Sequence, residues 1–269
     1  MRPDTRNETL ALVRARLAAQ AAEHRDRVEL IGIEYHWPNI CMIHGCEHVF
    51  GHNPLRLKWF FDATNVGDTV ADMWQRRFSP LYPSYRSVLA DLFGVRLIAI
   101  SIPVEQFDKA LKPGDLNFVA RTKDAYVYEN PRALPRVMLV GDWKVANFDE
   151  LTGSGWPPDV DPTKTVLLEK PLRAPPLSMF ETAGMARLVR YANTEIVVEV
   201  DSPSRGILVL NDVWQPWWRA TIGGVETETL RANVIFRAVP VPPGKYTVRF
   251  TFEPLRGAWR ELREKLRGE

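Results

Sequence analysis

The chain has no excess of charge of one sign and no long hydrophobic run. Its 269 residues include 35 basic and 33 acidic side chains, for a net charge of +2. This balance gives no electrostatic reason to expect nucleic-acid binding, and no basic stripe with interleaved aromatic residues is present. The longest apolar run, residues 97–104, is far shorter than the roughly 20 residues of a membrane-spanning helix. Taken alone, the chain is expected to be soluble.

Motifs of catalysis and of export are also missing. The sequence shows no Ser-His-Asp order and no paired-carboxylate motif. The glycine-containing segment 152–155 lacks the Lys-Ser/Thr that would complete a phosphate-binding loop. We therefore predict no catalytic residue and no cofactor. The first 20 residues carry charges throughout, which is unlike a signal peptide.

Tryptophan and proline, in contrast, are abundant. The chain has nine Trp and 21 Pro, and 45% of its residues are hydrophobic. A chain of this length and composition can bury a sizeable core. Many aromatic residues in a proline-rich chain fit β-rich, loop-rich modules that work outside the cytoplasm.

The clearest pattern lies in the last third of the chain. Residues 245–253 alternate between apolar and polar without a break, and residues 196–201 and 233–241 alternate in the same way. A Gly-Gly pair within 222–225 and a Pro-Pro-Gly run at 242–244 predict tight turns. Several short strands separated by turns predict an antiparallel, jelly-roll-like β-sandwich.

The first hundred residues mix helices and strands. Helical spacing of apolar residues predicts a helix over 7–27, and alternation or continuous apolar character predicts strands over 27–35 and 95–102. We therefore predict an α+β, β-rich fold in two domains. A mixed α+β domain would span 1–110, and a β-sandwich domain ending in an amphipathic helix would span 111–269.

Five segments, in the same order, resemble the YfhO family of bacterial membrane proteins. Two of them are similar to the family's closing patterns, in which aromatic-Pro and Pro-Gly turns separate apolar strands. The segments are VFGHNPLRLKWF (49–60), LADLFGVRLIAI (89–100), YVYENPRALPRVMLV (126–140), GILVLNDVWQPWWRATIGG (206–224) and RANVIFRAVPVPPGKYTVRFTFEP (231–254).

This resemblance covers about residues 27–254 and implies a function. Members of the family are glycosyltransferase-like membrane proteins that are thought to use polyprenyl-phosphate sugar donors outside the cytoplasm. The chain resembles only their soluble region, so we carry over no catalytic residue. The resemblance implies a module on the periplasmic face of the membrane that positions an acceptor glycan or docks on the membrane-embedded transferase. Its implied partners are that membrane portion and a glycan or lipid-linked saccharide.

The chain departs from the family pattern at three places. Trp217 stands where the family has the Gly of Pro-Gly-Trp, and this exchange changes the aromatic surface. Gly223 and Gly224 replace an Asp-Gly turn, and His52 replaces a Tyr.

A cluster of His and Cys residues lies within residues 36–52. Thiolates and imidazoles suit Zn²⁺, so Cys41, His44, Cys46 and His48 form one possible metal set. Their spacing matches no known zinc finger, and the resemblance needs no metal. A Cys41–Cys46 disulfide, or a packed loop with buried thiols, are the other interpretations. We favour no metal site here.

A tryptophan cluster gives the best candidate binding site. Trp214 and Trp217, beside Asn211 and Asp212, are predicted to contact a saccharide, since aromatic faces stack on sugar rings while amides and carboxylates bind hydroxyls. Neighbouring residues of a strand face opposite ways, so at most one of Trp217 and Trp218 can serve this site. The family pattern keeps the Trp at position 218, and this resemblance assigns Trp218 to the core. The rival functions are a stand-alone carbohydrate-binding protein and the zinc-binding module.

The C-terminal segment 255–268 is predicted to form an amphipathic basic helix. Trp259, Leu262 and Leu266 share one stripe of this helix. Such a helix can lie on an anionic membrane, but acidic residues are interleaved with the basic ones. This mixture favours a solvated helix that is docked on the rest of the protein through Trp259 and Leu262.

Overall fold

The structure is a computed structural model that describes residues 7–21, 24–33, 39–51, 57–67, 72–172 and 184–267, with the backbone alone at 260, 261, 264, 265 and 267. Its helices are α1 (Glu8–Ala18), α2 (Cys41–His44), α3 (Lys58–Thr64), α4 (Val88–Leu92), α5 (Val104–Phe107), α6 (Phe148–Ser154) and α7 (Pro254–Arg267), and a 3-10 turn lies at Met73–Gln75.

Strands outnumber helices in the described chain, so the predicted α+β, strand-rich class is confirmed. The strands are β1 (Arg27–Ile31), β2 (Val95–Ile100), β3 (Asn117–Arg121), β4 (Tyr126–Glu129), β5 (Val137–Val140), β6 (Asp142–Val145), β7 (Thr165–Leu168), β8 (Met185–Tyr191), β9 (Glu195–Ser202), β10 (Gly206–Val213), β11 (Trp218–Ile222), β12 (Val225–Thr227), β13 (Leu230–Ala232), β14 (Phe236–Val241) and β15 (Gly244–Phe252).

The chain forms two compact units. Unit 1 comprises Met1–Arg136 and Phe148–Pro158, and unit 2 comprises Val137–Asn147 and Asp159–Glu269. Residues 111–136, expected in the second domain, provide β3 and β4 of unit 1. Whether each unit folds alone is a separate question, so a boundary between independent domains stays a prediction.

Unit 1 is built on a four-stranded sheet with the strand order β1-β2-β4-β3. β1 and β2 are parallel, and the other pairs are antiparallel. Every residue of β2 is buried, as the continuous apolar run predicts. Helix α1 begins after Asn7, whose side-chain oxygen accepts a hydrogen bond from the backbone N–H of Leu10. Leu10 and Val13 bury the inner face of this helix against Val28 and Leu97.

Unit 2 is a sandwich of two sheets. One sheet has the order β5-β10-β14-β13-β7-β6, and the other has the order β12-β11-β15-β9-β8. All strand pairs in these sheets are antiparallel except β6 with β7. A shared core joins the two sheets, because Leu208, Leu210 and Val239 of the first sheet pack with Val198 and Phe250 of the second. Apolar side chains thus face inward from both sheets, as in a β-sandwich.

Two segments of unit 2 have residues with positive φ; one confirms a predicted turn, and the other interrupts a predicted strand. Gly223 and Gly224 have φ of 57° and 86° between β11 and β12, so the predicted two-glycine hairpin is confirmed. The strand predicted over 233–241 begins only at Phe236, because Asn233 and Val234 adopt φ of 46° and 73°. A positive φ interrupts a strand and is costly for a β-branched residue such as Val234.

The segment after β6 contains a helix. Residues 152–154 are the last residues of α6, and the N–H of Gly155, just after the helix, donates to the Leu151 carbonyl at 2.9 Å. Strand β7 follows, while residues 173–183 lie outside the described part of the chain. Among the described residues, none of the helices has the length and apolar character needed to cross a membrane.

Candidate functional site

A cleft of about 600 Å³ lies beside the β11–β12 hairpin of unit 2. This volume falls within the range of small-ligand sites, about 300–1,000 Å³. Aromatic side chains and polar groups share its wall, which is formed by Trp214, Pro216, Trp218, Arg219, Glu226, Thr227, Glu228 and Thr229.

Backbone hydrogen bonds fix the segment that carries the aromatic residues. The N–H of Trp214 donates to the carbonyl of Ile235 at 2.7 Å, and the N–H of Trp218 donates to the carbonyl of Gln215 at 3.1 Å. The side chain of Gln215 in turn accepts from the N–H of Trp217 at 3.1 Å. These bonds close a tight turn, so the two cleft indoles are held at its two ends.

The Trp218 indole is fixed from beneath by a buried cation. The guanidinium carbon of Arg237 lies 4.0 Å from the Trp218 ring centroid, within cation–π distance. The Phe252 ring centroid lies 5.3 Å away on the neighbouring strand. Trp218 therefore packs partly on the sandwich core, as predicted, and also lines the cleft, which was not predicted.

A buried ion pair holds that cation in place. Arg237 and Asp212 are both buried and lie 3.3 Å apart, and the hydroxyl of Tyr191 donates to Asp212 at 2.8 Å. Asp212 thus acts on the cleft indirectly, by positioning Arg237 under Trp218. Asn211 is buried too.

The structure does not place Asn211 and Asp212 in the cleft, although the sequence pattern predicted both as ligands of sugar hydroxyls. Strand β10 is buried on both faces, because its alternate residues belong to two different core clusters. Two consecutive residues of this strand are therefore both buried, and its register against β14 also shifts between Leu210 and Val213.

Trp217 faces α7 instead of the cleft. Its indole lies 6.2 Å from the Phe252 ring, centroid to centroid, and a Cβ added at Gly257 would meet its Cδ1 atom at 2.2 Å. Helix α7 is therefore docked on unit 2 through the bare backbone of Gly257. The prediction that Trp259 and Leu262 dock this helix is wrong, because both side chains are exposed.

The polar side of the cleft is mixed in charge. Arg219 and Glu226 form an exposed ion pair at 3.1 Å, and Glu228 is exposed nearby. The hydroxyl oxygen of Thr229 is buried and has no hydrogen-bond partner among the described residues. The cleft therefore combines apolar ring faces with carboxylate, guanidinium and hydroxyl groups, a combination suited to a ligand with one apolar face and several hydroxyls.

A second hollow of about 360 Å³ lies on the outer surface of β8, β9 and β15. Its charged side chains are paired across strands, since Arg187 contacts Glu199 at 2.6 Å and Lys245 contacts Asp201 at 2.9 Å. Its aromatic wall is Tyr246 alone. This surface is less suited to ligand binding than the tryptophan cleft.

The Cys and His cluster of unit 1 contains a disulfide between Cys41 and Cys46. This bond removes both thiolates of the possible zinc set. The ring nitrogens of His48 lie 2.7 Å from the N–H of Leu30 and 3.0 Å from that of Phe50. Burial lowers the pKa of His48, which favours the neutral form of the imidazole.

No group of three or more metal-type side chains is assembled among the described residues. His44 is buried in α2, whereas His36 and His52 lie outside the described part of the chain. Of the interpretations of this cluster, the structure therefore supports the disulfide.

Unit 1 also holds a buried charged cluster that the sequence analysis missed. Arg76 contacts Glu29 at 2.9 Å, and the hydroxyls of Tyr82 and Tyr85 donate to the same carboxylate at 3.1 and 2.6 Å. The Arg76 guanidinium also lies 4.5 Å from the Phe78 ring centroid. An aromatic cage of this type can bind a cationic ligand, but here the protein's own arginine fills it.

The electrostatics of this cluster follow from burial. Burial and the Glu29 carboxylate together raise the pKa of Tyr82 well above its usual value. Burial acts to lower the pKa of Arg76, but the adjacent Glu29 carboxylate outweighs it and keeps the guanidinium charged. Glu29 is more than 40 positions from Arg76, Tyr82 and Tyr85 in the chain, so no local motif indicates its contact with them.

Comparisons with family models, with curated proteins and with solved structures returned no match to this chain.

Proposed function

We propose that this chain is a non-catalytic glycan-binding module and that the tryptophan cleft of unit 2 is its binding site. The observation that carries the proposal is the pair of indoles, Trp214 and Trp218, in a cleft whose other walls are polar. Sugar rings present C–H groups on one face and hydroxyls at their edges. Aromatic rings can pack on the C–H face of a sugar, and charged or hydroxyl side chains can form hydrogen bonds with its hydroxyls.

Pre-organisation supports this proposal. The cation–π contact with Arg237 and the buried Asp212 behind it leave Trp218 little rotational freedom. A side chain that is already fixed loses little entropy when a ligand binds, so more of the contact energy appears as affinity. A loosely held surface tryptophan would not offer this advantage.

The charge of the cleft favours one class of saccharide. Two carboxylates, Glu226 and Glu228, and one guanidinium, Arg219, line the cleft, and that guanidinium is already paired with Glu226. The remaining negative charge favours neutral or amine-bearing sugars and disfavours sugars that carry carboxylate or phosphate groups.

The resemblance to YfhO-like transferases supplies the wider context of the proposal. We propose that the module positions an acceptor glycan, or a lipid-linked saccharide, for a membrane-embedded glycosyltransferase at the periplasmic face of the membrane. The disulfide between Cys41 and Cys46 supports an oxidising compartment. A stand-alone carbohydrate-binding protein would use the same cleft without the membrane partner.

A glycan array probed with the full chain tests the binding claim. We expect retention of neutral or amino-sugar oligosaccharides, and a loss of about tenfold in affinity on Trp214→Ala or Trp218→Ala. Trp74→Ala is the matched control, since it removes an exposed indole from unit 1. An array without binding, or equal losses in all three variants, would refute the proposal.

The membrane partner requires a separate test. The coding sequence beside the one for this chain, or continuous with it, should encode a protein with many membrane helices if the transferase context is right. Purified chain should bind its glycan without consuming a polyprenyl-phosphate sugar donor. Turnover of such a donor by the chain alone would make it an enzyme and contradict the non-catalytic role.

A further inference from the structure

Helix α7 carries an apolar stripe that the sandwich does not cover. The side chains of Leu255, Trp259, Leu262 and Leu266 are 82%, 63%, 49% and 77% exposed. With about 3.6 residues per turn, their spacing of four, three and four residues places all four on one narrow face of the helix. Four large apolar side chains in one row form a contiguous exposed patch, which marks an interaction surface.

The contact with the sandwich fixes the direction in which the stripe faces. Gly257 is buried against the Trp217 indole, and its N–H donates to the carbonyl of Glu253 at 2.9 Å. At about 100° per residue, position 257 lies on the side of the helix opposite the stripe. The helix therefore contacts the sandwich through the face that carries Gly257, and the stripe faces away from the sandwich.

Charged residues are sorted around the stripe. The sequence of α7 has five basic and two acidic residues, a net charge of +3. Positions 256, 263 and 265, which are all basic, border the stripe at about 100° per residue. Positions 261 and 264, which are both Glu, fall on the side of Gly257. Basic and acidic residues are interleaved along the sequence, but on the helix these basic positions lie beside the stripe and these acidic positions lie on the opposite side.

A second copy of the chain is a poor occupant for this stripe. The spacing of the four apolar residues matches the seam of a two-stranded coiled coil. Positions 256, 263 and 265 would then flank the seam, and each would face a basic or an uncharged residue of the other helix. Like charges at these positions oppose pairing, so the stripe calls for an occupant that is itself anionic.

We propose that α7 lies flat on an anionic membrane surface, with the four-residue stripe inserted at the boundary between headgroups and acyl chains and the basic residues at the lipid phosphates. Trp259 suits this position, because an indole is favoured at the level of the lipid headgroups. Its neighbour Arg263 lies 5.9 Å from the ring centroid and can reach a phosphate beside it. A helix with a strong apolar face, low overall hydrophobicity and a basic border is typical of such binding.

Vesicle co-sedimentation of the full chain tests this proposal. We expect binding to vesicles of 30% phosphatidylglycerol in phosphatidylcholine at 0.1 M salt, and about tenfold weaker binding to pure phosphatidylcholine, since each basic residue near an anionic surface contributes attraction. Binding should also fall when the salt is raised to 0.5 M. Equal binding to both vesicles, or no binding to either, would overturn the proposal, and the second result would assign the stripe to a protein partner.

Paired substitutions show which residues are responsible. Leu262→Glu should weaken binding to the anionic vesicles about tenfold or more, because it removes an inserted apolar side chain and adds a repelled charge. Val189→Glu is the matched control, since Val189 is 48% exposed on β8 and gains the same charge away from α7. Both changes are at exposed positions, so thermal unfolding should confirm that the two variants are folded. Equal effects of the two substitutions would contradict the role of the stripe.

This inference is independent of the glycan proposal. Leu262→Glu should leave glycan binding by the cleft unchanged, and Trp218→Ala should leave vesicle binding unchanged. A chain that fails in one assay and succeeds in the other would separate the two functions.

Discussion

Replacing Gly257 by Ala has two opposing effects on stability. Alanine is favoured over glycine within a helix by about 1 kcal/mol. The new Cβ, however, would lie 2.2 Å from Cδ1 and 2.5 Å from Cγ of Trp217, and overpacking of this kind costs about 1–3 kcal/mol. Because the overlap is with the rigid ring system and not with a flexible chain end, we expect the cost to win. Gly257→Ala should lower the free energy of unfolding by about 1 kcal/mol.

Chemical denaturation of four chains isolates the contact. Gly257→Ala is measured in the natural sequence and again beside Trp217→Ala, where the overlap is gone and alanine should raise the free energy of unfolding by about 1 kcal/mol. The difference between the two backgrounds gives a coupling of about 2 kcal/mol. Ala258→Gly is the control, because this exposed neighbour should respond to helix propensity alone and in the same way in both backgrounds.

The sign of the change in unfolding free energy on Gly257→Ala tests the contact between α7 and Trp217. If Gly257→Ala stabilises the natural sequence, the close contact between α7 and Trp217 does not exist, and the outward direction of the α7 stripe loses its basis. If it destabilises both backgrounds equally, the loss comes from somewhere other than the Trp217 ring.

Three further outcomes follow from unit 1. Glu29→Gln should lower the free energy of unfolding by about 3–5 kcal/mol, because it leaves the buried Arg76 cation uncompensated; a denaturation curve that shifts by less than 1 kcal/mol would refute this. Burial lowers the folded-state pKa of His48 below 6.5, although the charge of Glu29 acts to raise it. As the pH falls, His48 is therefore protonated in the unfolded chain before it is protonated in the folded one. Stability measured from pH 7.5 to 5 should therefore be full above about pH 6.5 and decline below it, and His48→Gln should flatten that decline. Reduction of the Cys41–Cys46 disulfide should cost about 2 kcal/mol, and a variant with Ser at both positions should not respond to reductant.

Regular strands and tight turns were the part of the fold that could be predicted. The alternation over 245–253 and the Gly223-Gly224 pair depend on local geometry, and β15 and the β11–β12 hairpin confirm them. Strand partners are set by contacts between distant segments, and local pattern does not contain them. For this reason no local pattern indicated that β4 pairs with β2, or that β3 pairs with β4, in unit 1.

The candidate site was found in part. The concentration of indoles at 214–218 indicated the region in which the cleft lies; that the cleft binds a saccharide stays a proposal. The roles within the cluster could not be assigned, because contacts between distant segments decide them: Trp217 packs against Gly257, and Asp212 pairs with Arg237. The alternation over 233–241 gave no sign that Arg237 is buried under Trp218. Its ion pair with Asp212 depends on the pairing of β10 with β14, and the sequence around either residue does not reveal it.

The most direct test of glycan binding is a calorimetric titration of the oligosaccharide that the chain binds best on the array. Three proteins are compared: the natural sequence, Trp218→Ala and the control Trp74→Ala. A glycan-binding cleft predicts saturable binding to the natural sequence and to Trp74→Ala with equal affinity, and an affinity about tenfold lower for Trp218→Ala. Undiminished affinity in Trp218→Ala would contradict the cleft as the site of binding.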